Sequence, residues 1–285
     1  MEIQNTPVSG GPAPRHAWRT ANKLAGFALS WANSLPCGAE GRRYLDVGCG
    51  NGFITELVAP DFDEVIGIDL EESRLEDFRA HVGGKPNFRV LSMSAAKIEF
   101  PSDFFSFITS FEVLEHVPDL DVSVREMVRV CSPEGIIAVS VPQVWFPFEN
   151  HGAQIGNRLY LRKIPLLPYI RPLHRKYSLA RVFSSAEMDE LFLSKGMSLL
   201  GTSYASPQFE RAAAQAGSWE SKFSFLRELL NRCENIPGVR ALTGVSMLKA
   251  YQKPGLRQAA SAQVPAKQNV GRVRSLTATH RWIQK

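Results

Sequence analysis

Residues 43–54 read RYLDVGCGNGFI, and no other run in this 285-residue chain limits its fold so tightly. Tyr44, Leu45 and Val47 predict a short buried strand. Gly48, Gly50 and Gly52 predict a tight turn, and Phe53 to Ala59 the start of a helix. A strand, a glycine turn and a helix open a doubly wound α/β fold. Residues without Cβ let backbone approach a ligand and adopt positive φ. The spacing is G-x-G-x-G. A dinucleotide fingerprint needs a glycine where Phe53 stands, and a P-loop needs a Lys-Ser/Thr ending that is missing here. Both absences argue against phosphate seated on the helix N-terminus.

The chain around this turn alternates short apolar runs with helical periods. Glu64 to Leu70 (EVIGIDL) predicts a second strand ending in Asp69, 23 residues after Asp46. An acid at that strand end is placed to accept hydrogen bonds from ribose hydroxyls; it also suits a helix cap before Glu71 and Glu72. Ser73 to Val82 predicts a helix closed by Gly83-Gly84. Strands follow at Phe88 to Ser92, Phe104 to Phe111 and Gly135 to Val141, with a helix over Asp119 to Cys131 and a turn at Pro133-Glu134-Gly135. Phe183 to Lys195 predicts a helix capped by Ser184 or Ser185. Two last strands are expected at Met197 to Tyr204 and Val245 to Lys253. Runs apolar on both faces imply a parallel sheet covered by helices. Ahead of them, His16 to Leu35 has apolar residues at helical spacing.

The segment DVGCGNG resembles motif I of class I S-adenosylmethionine-dependent methyltransferases. The resemblance covers residues 40–142 well and 182–253 loosely. It implies a Rossmann-like, seven-stranded sheet, mostly parallel with an antiparallel last strand, and an enzyme that uses S-adenosyl-L-methionine. Asp46, Gly48, Cys49, Gly50 and Gly52 would then lie at the methionine part of the cofactor. Asp69 and Leu70 would meet the ribose, and Met93, Ser94 and Ala95 the adenine. Ser94 and Ser106 stand where the family commonly has aspartates, which leaves the class intact and alters the adenine contacts. Residues 112–116, EVLEH, resemble the E-x-x-E-H of ubiquinone-pathway O-methyltransferases and of small-RNA 2′-O-methyltransferases. In that resemblance Glu112, Glu115 and His116 hold a divalent cation such as Mg²⁺ or Mn²⁺, with His151 as a fourth ligand. Glu115 and His116 also carry the catalytic expectation, His116 as a base for an alcohol or phenol acceptor.

Charge and length divide the remainder. The net charge is +5, yet residues 158–181 hold seven Lys/Arg and residues 254–285 hold six, with no acid in either, leaving the rest at −8. The basicity is local, so no whole-chain nucleic-acid signature follows and no DNA partner is expected. Residues 143–181 exceed an ordinary strand-to-helix connection. They are expected to form a lid that selects the acceptor: aromatics for an apolar or ring-bearing small molecule, cations for an anionic acceptor or a peripheral membrane contact through 158–181. Prolines 165, 168 and 172 exclude one continuous helix there. Residues 1–14 are expected to be flexible, the basic tail 254–285 to be disordered, and 207–238 to be a helical insertion in a domain running from 15 to 253. Four scattered cysteines make no disulfide or zinc pattern. With no secretory-type apolar run near the start and no 18-residue apolar stretch, a cytoplasmic location is expected, peripheral at a membrane at most. Methyl transfer to a small-molecule oxygen is the leading expectation. Methylation of RNA, a non-catalytic cofactor-binding module and a nicotinamide oxidoreductase are the alternatives.

Overall fold

A computed structural model describes residues 15–35, 41–161, 164–205 and 244–255, with side chains from residue 21 onward. The expectations for 1–14, 207–238 and nearly all of the basic tail lie outside the described residues. The elements in chain order are α1 (Arg15–Ala32), β1 (Arg43–Val47), α2 (Phe53–Val58), β2 (Glu64–Asp69), α3 (Glu72–Val82), β3 (Phe88–Ser92), β4 (Phe105–Phe111), α4 (Leu120–Val130) and β5 (Cys131–Pro142). There follow β6 (Phe148–Glu149), β7 (Ala153–Ile155), β8 (Arg158–Tyr160), β9 (Ile164–Pro165), α5 (Arg171–Tyr177), α6 (Ser185–Leu193), β10 (Ser198–Ala205) and β11 (Ser246–Gln252).

Seven strands form one sheet in the order β10-β11-β5-β4-β1-β2-β3. The pairs β1/β2, β1/β4, β2/β3 and β4/β5 are parallel, whereas β11 runs antiparallel to both β5 and β10. This is the Rossmann-like α/β sheet expected. The chain winds outward from β1 to β3, then returns to β4. The switch point therefore lies between β1 and β4, and a ligand crevice opens at their carboxyl ends.

Alternation of side chains across the sheet builds two core layers. On one face Leu45, Val47, Ile66, Ile68 and Ile108 pack with Val124 and Met127 of α4 and with Met188 and Phe192 of α6. On the other face Tyr44, Val65, Phe107 and Ile136 pack with Leu24, Ala25 and Ala28 of α1. Each Val, Leu, Ile, Met or Phe among them, fully buried, contributes roughly 1.5–3 kcal/mol. Local signals set the helix ends. Asp119 Oδ1 accepts from the Val122 N–H at 3.0 Å to cap α4. Of the two serines considered for α6, Ser184 is the cap, in a reciprocal box with Glu187. Gly83, left-handed at φ 56°, closes α3.

One local expectation is corrected. Pro133-Glu134-Gly135 is not a turn before β5; it lies inside a strand that starts at Cys131. Phe105 pairs with Cys131 and Phe107 with Ile136, so the extra residues form a bulge. Glu134 adopts φ 63° there. Lys253 holds both sides: Glu134 N–H donates to Lys253 O (3.0 Å), and Lys253 N–H donates to Gly135 O (2.9 Å).

Between β5 and α6 the insertion folds as two small antiparallel pairs, β6/β9 and β7/β8, followed by a 3₁₀ turn at Leu167–Tyr169 and the short α5. The prolines do break it into pieces: Pro168 falls within the 3₁₀ turn and Pro172 in the first turn of α5.

Candidate active site

The glycine turn is tied to the end of β2. Gly48 and Cys49 N–H both donate to Ile68 O, at 2.7 and 3.0 Å. Gly48 and Gly52 take φ 76° and 78°. A Cβ on Gly48 would lie 2.2 Å from Val113 Cγ2, and one on Gly52 2.0 Å from the Phe78 ring. Packing as well as conformation therefore excludes side chains there. Gly50 differs: a Cβ would meet only Arg74, at 3.7 Å. Open space over the turn lies at this central glycine, with a guanidinium at its edge.

Two carboxylates support the turn. Asp46 is 4% exposed and faces inward, not toward the crevice. Thr55 Oγ1 donates to its Oδ2 (2.6 Å) and Thr109 Oγ1 to its Oδ1 (2.7 Å), while Tyr44 OH donates to Thr109 (2.7 Å). Burial raises the Asp46 carboxyl to about 6 against the pull of these hydroxyls. Asp46 thus braces the turn from below. Asp69 is half-buried at the end of β2. Gly50 N–H donates to its Oδ2 (2.9 Å) and Glu71 N–H to its Oδ1 (3.0 Å). It holds the turn and the start of α3 together, and each oxygen keeps a lone pair for another donor.

The remaining expected cofactor residues surround this centre. Leu70 is 64% exposed just past β2. Met93 N–H donates to Asp69 O (3.0 Å), which places Met93, Ser94 and Ala95 beside it. Ser94 Oγ accepts from Ala96 N–H (3.2 Å). The Cys49 side chain turns the other way, into a cluster with Leu75 and Phe78, so only its backbone faces the crevice.

A second group stands just past β4. Glu112 adopts φ 56°, unusual for a residue with a Cβ. Its N–H donates to Ser140 O (3.0 Å), and Ser140 Oγ donates to its Oε1 (2.7 Å). Three residues on, Glu115 is 2% exposed and neither carboxylate oxygen has a hydrogen-bond partner. Its Oε1 lies 3.8 Å from His116 Nε2 and 3.9 Å from His151 Nε2. Burial, then the charge of Glu112, pushes the Glu115 carboxyl well above the usual carboxylate range. Burial, then His151 and Arg181, lowers the His116 imidazolium to about 4, so the ring is neutral at pH 7.

Glu149, 1% exposed, orients this group from behind. Its Oε1 accepts from the His151 N–H (2.6 Å) and lies 3.3 Å from His151 Nδ1, while its Oε2 contacts His174 Nε2. Burial opposes its ionisation, yet the hydrogen bonds from His151 and His174 prevail and hold it well below the usual range. With Nδ1 turned to Glu149, His151 presents Nε2 to Glu115. Arg181 fixes the loop: its N–H donates to Glu115 O (3.1 Å), and its guanidinium to Val117 O and Pro118 O.

Of the four expected metal-ligating residues, Glu115, His116 and His151 come together, with one ligand atom from each inside 4.8 Å. Glu112 is not in this group, because its carboxylate is bonded to Ser140. Ligand atoms roughly 2.0–2.2 Å from a shared cation lie up to about 4.3 Å apart, so the two 3.8–3.9 Å separations fit. The unpartnered oxygens of Glu115 are what a cation would satisfy. Of the two ions expected, two imidazoles in a set of three would suit Mn²⁺ better than Mg²⁺. A cavity of about 750 Å³ reaches Glu115, lined also by Arg171, His174, Arg175, Phe183 and Leu191.

Glu149, Ser140, Thr55, Thr109 and Arg181 were not anticipated. Only Glu149 left a sequence signal, in the close spacing of Phe148-Glu149-Asn150-His151.

Residues 45–139 match a family described as a methyltransferase domain. The ubiquinone biosynthesis O-methyltransferase of Bordetella avium (strain 197N) is 32% identical over 130 residues, 45% of this chain and 54% of that protein. The protein of the same name from Nitrosospira multiformis is 37% identical over 103 residues, 35% of this chain and 43% of that one. The chain thus spans about half the length of the curated relatives it matches. Among solved structures, geranyl diphosphate methyltransferase in complex with SAM superposes with a TM-score of 0.56 at 16% identity, covering 83% of this chain and 86% of that one. The [4+2]-cyclase SpnF gives 0.55 at 20% identity, covering 83% of each. Likeness at such identity speaks for the fold alone, and a cyclase among the neighbours illustrates why. The glycine turn and the acid ending β2 both fall within residues 45–139, the stretch that matches the methyltransferase-domain family.

Proposed function

We propose that this protein is an S-adenosylmethionine-dependent methyltransferase that O-methylates a small molecule. The observation that carries the reading is Glu115, buried without a hydrogen-bond partner between two imidazoles, one turn of chain beyond the strand that flanks the glycine loop. The names of the curated relatives, O-methyltransferases, support oxygen as the attacked atom.

S-adenosylmethionine supplies a methyl group already activated on a sulfonium, so the protein's task is placement, an effect worth several kcal/mol. The bare backbone of Gly48 to Gly52 gives the methionine part close approach. Asp69 has lone pairs free for the ribose hydroxyls. Leu70, with Met93, Ser94 and Ala95, offers a partly apolar wall to the adenine. Arg74, at the edge of Gly50, suits the methionine carboxylate.

Glu115, His116 and His151 would hold a divalent cation, which supplies the charge that favours ionisation of an acceptor hydroxyl. Glu149 keeps His151 in the required tautomer, as carboxylates do for ligating histidines. The neutral His116 suits a ligand better than a base, since an imidazole protonating near pH 4 holds a proton weakly at neutral pH. A second reading follows from the same residue: without a cation, Glu115, with its raised proton affinity, accepts the acceptor's proton itself.

The test is incubation of the purified chain with methyl-labelled S-adenosylmethionine and fractionated cell extract, with and without chelator. Label is expected in a small-molecule fraction, lost on chelation and in Glu115→Gln. Label in RNA would replace the acceptor class. Tight cofactor binding with no transfer to any fraction would remove the enzyme reading. Transfer that survives chelation but not Glu115→Gln would select the carboxylate base.

A further inference from the structure

The insertion after β5 leaves unburied what a water-soluble surface normally hides. Across residues 155–173, eight large apolar side chains are between 41% and 59% exposed, led by Leu161, Leu166, Leu159, Ile155 and Ile170. Elsewhere, the described sheet and helices keep most of their large apolar side chains in the core. The β7/β8 hairpin shows the contrast best. Beyond Ala153 every residue of both its strands is exposed, its large apolar side chains by 41% to 50%. Exposed apolar groups gathered on one segment mark a contact surface.

Charge says what the surface meets. Residues 158–181 contain seven Lys/Arg and no Asp or Glu. Two of the seven are used within the fold: Arg171 pairs with Glu187, and Arg181 donates to backbone carbonyls. Arg158, Arg175 and Lys176 are exposed and have no carboxylate within ion-pairing distance among the described residues. Nucleic acid would reward the cations but not the aliphatic side chains between them. A bilayer surface rewards both, through lipid phosphates and the acyl boundary just beneath.

We propose that this insertion docks the protein on an anionic membrane surface, with Ile155, Leu159 and Leu161 entering the headgroup region and Arg158 and Lys176 meeting lipid phosphates. The docking does not depend on the methyl-transfer reading. The two are related in one respect: the insertion also lines the cavity at Glu115 through Arg171, His174 and Arg175, so docking presents that cavity to a lipid-borne acceptor.

Sedimentation of the full chain with vesicles tests it, using phosphatidylcholine alone and phosphatidylcholine with phosphatidylglycerol. Binding is expected only with the anionic lipid, weakening as salt rises. Arg158→Ala with Lys176→Ala should lower partitioning about 25-fold, at about fivefold per cation. Leu159→Ser with Leu161→Ser, both at exposed positions, should lower it at least tenfold. Unchanged circular dichroism and cofactor binding in both variants would show that the fold is intact. Absence of binding to anionic vesicles overturns the proposal, as does binding that ignores the leucine pair. A dimer in gel filtration that the leucine variant abolishes, without vesicle binding, would assign the surface to a second copy of this chain. Equal binding to RNA with the same cation dependence and no leucine dependence would assign it to nucleic acid.

Discussion

Asp46→Asn probes how the glycine turn is held. The wild-type carboxylate is 4% exposed and its carboxyl is raised from 3.8 to about 6, chiefly by burial, with the Thr55 and Thr109 hydroxyls opposing. A shift of about two units is worth about 3 kcal/mol. The sign follows from proton binding. Below about pH 3 the carboxyl is protonated in both folded and unfolded chains, and no charge penalty exists. As pH rises toward 6, the unfolded chain ionises first, so the folded state loses up to about 3 kcal/mol relative to it; above about pH 6 the loss is constant. Asparagine cannot ionise and carries no such term. It can accept from one hydroxyl while its amide donates to the other, so the remaining cost of the substitution, about 1 kcal/mol, does not vary with pH. Urea unfolding of both proteins at pH 4 to 7 reads the difference directly, because every other titrating group is shared and cancels. The variant's stability relative to wild type should improve by roughly 2 kcal/mol from about pH 4 to about pH 7. A flat difference, or one that moves against the variant as pH rises, would refute the claim that Asp46 is ionised at a cost.

Gly52→Ala and Gly84→Ala separate packing from backbone strain, because the two glycines share φ near 78° but only Gly52 faces a ring at 2.0 Å. Gly84→Ala should cost about 1–2 kcal/mol, the left-handed penalty alone. Gly52→Ala should cost about 1–3 kcal/mol more through overpacking against Phe78, read as a lower urea midpoint; equal costs would mean that Phe78 simply moves aside. Glu149→Gln keeps the side-chain shape but weakens the orientation of His151, so Mn²⁺ affinity by calorimetry should fall about 10- to 100-fold. Unchanged affinity would exclude Glu149 from any role behind that imidazole.

What could be read from the chain depended on how local the determining chemistry was. The glycine turn, Asp69 at the end of β2, the glycine stop of α3 and the serine cap of α6 depend on residues within a few positions, and they were legible. So was the breaking of the insertion by prolines. The Pro133-Glu134-Gly135 segment looked like a turn because its composition is a turn's; Lys253, more than a hundred residues away, pairs with it on both sides and makes it a bulge. Asp46 looked ligand-facing from its place in the motif. Thr55 and Thr109 reach its two oxygens only once α2 and β4 flank β1, and that arrangement turns it inward. Glu112 matched the metal pattern by position, but Ser140 on the neighbouring strand claims its carboxylate. His151 was legible as a candidate, whereas the partner that aims it, Glu149, depends on His174, which lies 25 residues further on.

Three unfavourable features fall within five consecutive residues. Glu112 holds a left-handed backbone without being glycine. Glu115 is buried with neither oxygen bonded. His116 is kept neutral by its surroundings. Stability alone does not account for them: an apolar residue in place of Glu115 would avoid the cost of burying a carboxyl group with neither oxygen bonded, about 1–3 kcal/mol. Elsewhere the fold satisfies buried charge with care, as where Lys249, 1% exposed, pairs with Asp189 at 2.7 Å. Other left-handed residues (Asp103, Glu134, Leu166) and other unbonded buried atoms (Trp31 Nε1, Arg42 Nε, Ser110 Oγ) are scattered, whereas these three features share the loop that touches the glycine turn through Val113. Strain gathered where two halves of a site meet is the pattern of a segment shaped by chemistry as well as by packing. A ligand that satisfied Glu115 would relieve the largest of the three terms, and this is why the carboxylate, more than either histidine, is where the function of this loop is most exposed to experiment.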